Sequence, residues 1–280
     1  GSYKNLFGFN GTLLSLDITK KEDLNYLNEK FEFDYIFHQA AISDTTVQEQ
    51  DLMIKTNVNA FEDLLNIAIN HNANIVYASS AATYGNAKSP QKVGNEQPNN
   101  VYGFSKLMMD NIAKKYIDKK LDISIVGLRY FNVYGKNEYY KQKTASMVLQ
   151  FGHQLLSKKR PKLFEKSEKI FRDFVYIEDI IQANILAANS PNSGIYNVGS
   201  GQERSFKDIV DILQKELGTK LDIEYIKNPY IGSYQFHTKA YIDDTIEKLG
   251  YEPKYSLEEG IRDYIPYIKD IYNKEVINAK

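Results

Sequence analysis

Ile75-Val-Tyr-Ala-Ser-Ser-Ala-Ala-Thr-Tyr-Gly85 is an apolar run that leads directly into small hydroxyl residues and a turn glycine. Such a run predicts a short buried strand, and the glycine marks the turn that follows it. Ligands of an open parallel sheet bind outside the carboxyl ends of its strands. Ser79 and Ser80 are predicted to lie at such an end, where a serine hydroxyl either binds a ligand oxygen or closes the turn.

The next informative stretch is Asn99-Asn-Val-Tyr-Gly-Phe-Ser-Lys106, at the start of a helical pattern. Tyr102 and Lys106 are four residues apart, so their side chains share one face of the helix. An ammonium beside a phenol favours phenolate and lowers the tyrosine pKa from about 10, which makes Tyr102 a candidate acid-base. The alternative is an ordinary surface pair, since the chain has 22 tyrosines and many lysines.

Predicted strands and helices alternate along the chain, which is typical of an α/β fold with a doubly wound parallel sheet and right-handed crossovers. The regular alternation of strands and helices ends beyond Gly135, where we expect a smaller, discontinuous α/β part. The predicted strands are 11–17, 35–38, 75–78, 123–128, 161–164, 195–198 and 222–226, and the predicted helices are 20–30, 51–71, 102–118, 141–156, the end of 172–188, 207–217 and the segment after 257.

The composition excludes several function classes. With 280 residues, 42% of them hydrophobic, the chain can bury a full core. A net charge of -1 is not the excess of positive charge that nucleic-acid-binding proteins carry. No apolar run approaches the roughly 20 residues of a membrane span. No cysteine is present, and the four histidines are scattered without metal-ligand spacing. We therefore expect no metal site, no nucleic-acid partner and no membrane partner, and histidines in packing or surface roles.

Four motifs in this order resemble the short-chain dehydrogenase/reductases, in the extended branch that modifies nucleotide sugars. They are Ser80 with Tyr102 and Lys106, Arg129-Tyr-Phe-Asn-Val-Tyr-Gly135, Arg172-Asp-Phe-Val-Tyr-Ile-Glu-Asp179 and Tyr196-Asn-Val-Gly-Ser-Gly201. The resemblance implies a Rossmann-like cofactor domain, 1–135 with 173–200, and a nucleotide-sugar domain, 136–172 with 201–280. It also implies a cytoplasmic homo-oligomer.

Within this branch the chain is similar to the ADP-heptose 6-epimerase family. The likeness rests on Ala78-Ser-Ser-Ala-Ala-Thr-Tyr-Gly85, on Lys141 followed by Ala145-Ser146, and on Lys162-Leu-Phe-Glu165. It implies an isomerase that inverts C6'' of an ADP-heptose in lipopolysaccharide precursor synthesis, by transient oxidation with bound NADP or, alternatively, NAD. A small nucleotide sugar is then the expected partner.

The resemblance also implies a role for each catalytic residue. Tyr102 would exchange a proton with the sugar, Ser80 would bond the oxygen at the reacting carbon, and Lys106 would hold the nicotinamide ribose. Lys141 matches a second acid-base on the other side of the sugar, which an inversion needs. From the residues alone, a solvated lysine at a helix start is the favoured interpretation of Lys141.

Further positions match cofactor or substrate contacts of the family. Arg172 suits a diphosphate because a guanidinium can donate two parallel hydrogen bonds to anionic oxygens. The alternative is that Arg172 pairs with Asp173 or Glu178. Gln150 stands where the family carries a histidine, and Lys143 where it carries a serine. The implied cofactor contacts, besides Tyr102, Lys106 and Lys141, are Gln39, Ala40, Ala41, Ile42, Ser43, Asn57 and Val133, and the implied substrate contacts, besides Ser80, are Asn132, Lys143, Gln150, Phe164, Glu165, Lys166, Ser167, Arg172 and Tyr234.

Three other functions compete with this one. A dehydratase is disfavoured because Ala81 and Ala82 stand where elimination needs an acid. A UDP-hexose 4-epimerase shares Ser-Tyr-Lys but has no use for Lys141. The glycine-rich turn that opens a Rossmann unit has no counterpart, since Gly8 and Gly11 precede what resembles the third strand. The expectation is that the first strand, helix and second strand are missing, and an inert fragment or scaffold is the third alternative.

Overall fold

The computed structural model describes residues 2–229 and 235–277. Within them, the main sheet has four parallel strands in the order β1-β2-β3-β7. Ile75 of β2 pairs with Ile125 of β3, and Val126 of β3 pairs with Gly194 of β7. These strands are β1 (Tyr35–His38), β2 (Asn74–Ser80), β3 (Ile125–Tyr130) and β7 (Gly194–Val198).

Helices cover both faces of this sheet, as the alternation predicted. They are α1 (Lys21–Lys30), α2 (Gln50–Met53), α3 (Ala60–Asn70), α4 (Val101–Ile117) and α6 (Ile177–Ala188). Ile75 and Tyr77 of β2 face α3 and α4, where Phe61 and Met109 are fully buried. Val76 faces α6 instead, because successive strand residues point to opposite faces. The α/β fold with a doubly wound parallel sheet is thus confirmed.

A second core lies beyond the sheet, in the part where the sequence rhythm changes. Leu149 of α5 and Leu213 of α7 pack there with Ile261 of α9. Two small sheets complete this part, one in the order β4-β6-β8 and one of β5 with β9. The bounds are β4 (Asn132–Tyr134), β5 (Lys162–Phe164), β6 (Phe171–Tyr176), β8 (Glu203–Ser205), β9 (Glu224–Ile226), α5 (Met147–Leu156), α7 (Phe206–Leu217), α8 (Asp243–Leu249) and α9 (Leu257–Ile271).

Two predicted elements are wrong. The segment 11–17 is not a strand: it has no regular structure, and Leu13 and Leu14 are exposed. A strand exists only where a neighbour completes its ladder, and no described strand pairs with this segment. The helix predicted for 141–156 begins only at Met147, because Ser146 caps it by accepting a hydrogen bond from the Leu149 N–H.

The predicted long helix 51–71 is correct in extent but not regular. Residues Ile54–Asn59 form a π-helical stretch between α2 and α3. π-stretches inside α-helices are rare and concentrate at functional sites. No helix among residues 2–229 and 235–277 is long and apolar enough to cross a bilayer.

Candidate active site

Tyr102 and Ser80 meet where α4 begins beside the end of β2. The Asn100 side chain caps α4 by accepting a 2.8 Å hydrogen bond from the Gly103 N–H. A Cβ at Gly103 would lie 2.4 Å from the Ala82 carbonyl oxygen, so only glycine allows α4 this close to the turn after Ser80. The Tyr102 and Ser80 side chains are hydrogen-bonded across this contact. The predicted pairing of hydroxyl and phenol is therefore present.

Lys106 lies one turn further along α4 and is 2% exposed. Its Nζ donates a 2.6 Å hydrogen bond to the Ala78 carbonyl oxygen and lies 6.0 Å from the centroid of the Tyr102 ring. Burial lowers the pKa of Lys106 to about 8, and the charge of Asp110 opposes that shift. Ser80, Tyr102 and Lys106 thus form one constellation at the carboxyl edge of the sheet.

The expected effect of Lys106 on the phenol is not observed. Burial raises the pKa of Tyr102, and the hydrogen bond with Ser80 opposes that rise only in part. The reason is geometric, since Lys106 directs its hydrogen bond to the Ala78 carbonyl oxygen rather than to the phenol. Tyr102 is accordingly a neutral proton donor in this state.

A buried network of charges lies behind this constellation. Arg129 and Asp110 are both fully buried, with 2.7 Å between the guanidinium and the carboxylate. Tyr77 and Ser79 donate hydrogen bonds of 2.9 and 3.0 Å to Asp110, and Arg129 also pairs with Glu96 at 2.5 Å. The sequence reasoning missed Asp110, although Tyr102-x-x-x-Lys106-x-x-x-Asp110 puts all three on one helix face.

The segment predicted to pass a cofactor, 39–43, follows β1 as an open loop with exposed and half-buried residues. Asn57, in the π-helical stretch, fixes this loop: its side chain accepts a 2.9 Å hydrogen bond from the Ile42 N–H and donates one of 3.0 Å to the Ile42 carbonyl oxygen. The same amide also donates to Ser105 on α4 at 3.1 Å. Asn57 therefore ties the loop to the helix that carries Tyr102 and Lys106.

The residues at this edge fit the ribose and nicotinamide end of a dinucleotide. The Lys106 ammonium has three donors, and one is given to Ala78. The Nε2 atom of buried His38, at the end of β1, has no hydrogen-bond partner among the described residues. Small side chains at Ala40 and Ala41 allow close approach to the backbone. The chemistry of Lys106 thus suits hydrogen bonding to ribose hydroxyls.

Lys141 is exposed on a 3-10 turn, residues Tyr139–Thr144. Buried Glu138 fixes this loop at both ends, since it accepts hydrogen bonds from the Gly135 N–H and from the N–H and hydroxyl of Ser146. Lys143 on the same turn forms a 3.0 Å ion pair with Asp44, next to the 39–43 loop. The Lys141 loop and the predicted cofactor loop are therefore in contact.

The predicted substrate positions other than Ser80, Lys143, Arg172 and Tyr234 lie on β4, on α5 and at the end of β5. Asn132 is half-buried on β4, as is Val133, which was predicted to contact the cofactor. Gln150 on α5 lines a cavity of about 480 Å³ with Tyr139 and Gln142. Phe164, Glu165, Lys166 and Ser167 lie at the end of β5 and the turn after it, and Tyr234 lies outside the described residues.

Arg172 is 5% exposed and donates hydrogen bonds to the protein backbone. Its guanidinium donates to the carbonyl oxygens of Phe171 and Gln235, and the Gln235 side chain donates to the Gly85 carbonyl oxygen at 2.7 Å. The alternative pairings of Arg172 with Asp173 or Glu178 are not among its hydrogen bonds in the described part of the chain. Arg172 thus links the 235–241 segment to the turn after Ser80.

Comparison with known proteins identifies the wider group. The model of the NAD dependent epimerase/dehydratase family matches residues 2–199. The chain belongs to this family. Its members in this comparison include a curated ADP-L-glycero-D-manno-heptose-6-epimerase from Brachyspira hyodysenteriae, 38% identical over 262 residues, which are 89% of this chain and 81% of that protein.

Solved structures of this epimerase/dehydratase family agree with the fold. The crystal structure of ADP-L-glycero-D-manno-heptose-6-epimerase from Helicobacter pylori has 52% sequence identity and a TM-score of 0.89, covering 96% of this chain and 83% of that chain. A UDP-N-acetylglucosamine 4-epimerase from Methanobrevibacter ruminantium, solved with UDP-N-acetylmuramic acid, has 26% identity and a TM-score of 0.86. It covers 96% of this chain and 87% of that chain.

Proposed function

We propose that this chain inverts C6'' of ADP-D-glycero-D-manno-heptose to give the L-glycero epimer. The Ser80, Tyr102 and Lys106 constellation, with Lys141 on a separate loop, carries the proposal. The 52% identity to the H. pylori heptose epimerase supports this substrate over other nucleotide sugars. The proposal includes the two predicted domains, a cytoplasmic homo-oligomer, and the cofactor and substrate contacts that the family resemblance implies.

The chain's own residues divide the work as follows. Tyr102 first gives its own proton to solvent and then takes up the proton of the C6'' hydroxyl, while Ser80 donates a hydrogen bond to the same oxygen. Lys106 holds the ribose of the cofactor. After the ketone has turned, Lys141 donates a proton to its oxygen as the second acid-base, and proton exchange with solvent then restores both groups.

The cofactor proposed here is NADP, and it supplies reversible hydride transfer at C6'' when bound. We choose NADP over NAD on the likeness to the heptose epimerases alone. The protein contributes position and proton transfer, with Lys106 and the 39–43 loop as the holding groups. Nucleotide released on denaturation, separated by chromatography, distinguishes the two forms by the 2'-phosphate.

The test is epimerisation of ADP-D-glycero-D-manno-heptose followed by proton NMR. Removing a general acid-base lowers a rate by roughly 10²- to 10⁴-fold, so we expect such losses for Tyr102→Phe and Lys141→Met. Tyr26→Phe and Lys30→Met, at exposed positions on α1, serve as matched controls. Equal activity of Tyr102→Phe and Tyr26→Phe contradicts the proposal.

The second candidate is a UDP-hexose 4-epimerase, because a UDP-glucose 4-epimerase from Thermotoga maritima also shares the fold, with a TM-score of 0.87. The same assay with UDP-glucose separates the two. Turnover of UDP-glucose that is insensitive to Lys141→Met favours this candidate. A protein that turns over neither sugar favours the inert scaffold.

A further inference from the structure

Asp110 is a buried carboxylate that the proposed reaction does not use directly. It is fully buried on α4, one turn after Lys106. Residues four apart on a helix have Cβ atoms about 5–6 Å apart. Its oxygens accept hydrogen bonds from Tyr77 and Ser79 of β2 and from Arg129 of β3. Burying a carboxylate this completely costs free energy unless opposite charges and hydrogen bonds compensate for its lost hydration.

The charges of this cluster balance only when Lys106 is protonated. Arg129 faces two carboxylates, Asp110 at 2.7 Å and Glu96 at 2.5 Å. One cation against two anions leaves one negative charge. The ammonium of Lys106, also buried, supplies the missing positive charge. Asp110 is the carboxylate on the Lys106 side, since both residues lie on the same face of α4.

The other groups that face Lys106 supply no such charge. From β1 it faces His38, which burial keeps neutral by lowering its pKa to about 4. From β2 the Ala78 carbonyl oxygen accepts its hydrogen bond, and Tyr77 on the same strand is neutral because burial raises its pKa well above the usual value. On its own helix Tyr102 is likewise neutral, since burial raises its pKa. Asp110 is therefore the carboxylate whose charge acts on Lys106 in the described part of the chain.

Asp110 is also connected to the strand end that carries Ser80. The Ser79 hydroxyl donates to Asp110 at 3.0 Å, and Ser79 directly precedes Ser80. Ala78, which accepts the Lys106 hydrogen bond, precedes Ser79. One carboxylate thus contacts the strand that presents Ser80 and lies one turn from Lys106.

We propose that Asp110 is a positioning residue that keeps Lys106 protonated and holds it against the end of β2. The charge on Lys106 matters because an ammonium donates stronger hydrogen bonds to ribose hydroxyls than a neutral amine does. Tyr77, Ser79 and Arg129 keep the Asp110 carboxylate in place, and Arg129 is shared with Glu96, so it neutralises Asp110 only in part. The importance of Asp110 for epimerisation rests on the proposed function, whereas its effect on the charge of Lys106 does not depend on that function.

The experiment titrates Lys106 directly by NMR in protein labelled with ¹³C at lysine Cε, with the signal assigned from Lys106→Met. An opposite charge within about 4–6 Å shifts a pKa by 1–3 units. We expect Asp110→Asn to lower the Lys106 midpoint by roughly one unit or more. Asp118→Asn, at the C-cap of α4 about two turns beyond Asp110, is the matched control and leaves the midpoint unchanged.

A second variant separates charge from hydrogen bonding. In Asp110→Asn with Arg129→Gln, one anion and one cation are removed together, so we expect the midpoint to return towards the wild-type value. Tyr77→Phe removes a hydrogen bond but no charge, and it leaves the midpoint in place. An unchanged midpoint in Asp110→Asn overturns the proposal.

The outcome is decided even if Asp110→Asn does not fold. Glu96→Gln removes the competitor for Arg129, so Arg129 neutralises Asp110 more completely and the Lys106 midpoint falls by a smaller amount. No shift in that variant then overturns the proposal. The alkaline limb of the activity profile is expected to move in the same direction as the midpoint. A wild-type protein that turns over no ADP-heptose contradicts the proposed function, while the NMR titration still tests Asp110.

Discussion

Glu138→Gln tests whether one buried carboxylate fixes the loop that carries Lys141. Glu138 is 6% exposed and accepts four hydrogen bonds, from the N–H groups of Gly135 and Ser146 and from the hydroxyls of Ser146 and Tyr264. An amide has a single acceptor oxygen, so its NH₂ group must face a donor. At 2.6 Å, the Ser146 N–H is the donor most directly opposed.

The expected loss follows from these contacts. A buried donor left without a partner costs about 1–3 kcal/mol, and hydrogen bonds to a charged acceptor contribute about 1.5–3 kcal/mol against about 1 for neutral ones. We therefore expect the free energy of unfolding to fall by about 2–4 kcal/mol. With a urea slope of about 3 kcal/mol/M, the midpoint falls by about 1 M.

The assay is urea unfolding at pH 7 followed by far-ultraviolet circular dichroism. Glu29→Gln on exposed α1 is the matched control, with an expected change within about 0.5 kcal/mol. If Glu138→Gln unfolds within about 0.5 kcal/mol of this control, the loop is not held by the carboxylate and the reasoning fails.

Three further predictions concern the site and its supports. His38 stays neutral when folded, with a pKa lowered from 6.5 to about 4 by burial, so only the unfolded chain takes up its proton as the pH falls from about 6.5 to about 4. Over that window protonation of the unfolded chain at His38 should lower the wild-type free energy of unfolding by about 3 kcal/mol, and this fall should be absent in His38→Gln. Urea titration at several pH values measures it, and identical pH slopes for the two proteins refute the prediction. Gly103→Ala puts a Cβ 2.4 Å from the Ala82 carbonyl oxygen, so we expect a stability loss of about 1–3 kcal/mol and a fall in kcat from displacement of Tyr102; an unchanged kcat counts against that placement. Gln142 has φ 54 and ψ -118, so Gln142→Gly should raise the thermal midpoint through relief of about 1 kcal/mol of strain, and a lower midpoint contradicts it.

The sequence was sufficient for the parts of the fold that periodicity determines. The β2 strand, α4 and α7 have strong apolar patterns, and each was predicted to within about two residues. Segment 11–17 has the apolar residue pattern of a strand. A strand also needs a neighbouring strand to pair with, and the local sequence pattern does not show whether one is present. The short β4 and β8 strands were missed for the same reason, since tertiary contacts rather than composition define them.

The candidate site likewise contains some residues that the sequence could predict and others that it could not. Ser80, Tyr102 and Lys106 could be predicted because one strand end and one helix turn bring them together. The Arg129 to Asp110 pair could not, because it joins β3 to α4 across the sheet face. The direction of the Tyr102 pKa shift was wrong because spacing along a helix does not reveal burial or the Ala78 carbonyl that takes the Lys106 hydrogen bond.

The most direct test of the proposed reaction uses ADP-D-glycero-D-manno-heptose that carries deuterium at C6''. The account predicts an L-glycero product that keeps its deuterium at C6'' in ordinary water, with turnover lost in Tyr102→Phe, because the hydrogen on carbon returns to the carbon it left. Exchange of that deuterium with solvent during epimerisation would contradict the account, since it would show that the C6'' hydrogen leaves as a proton.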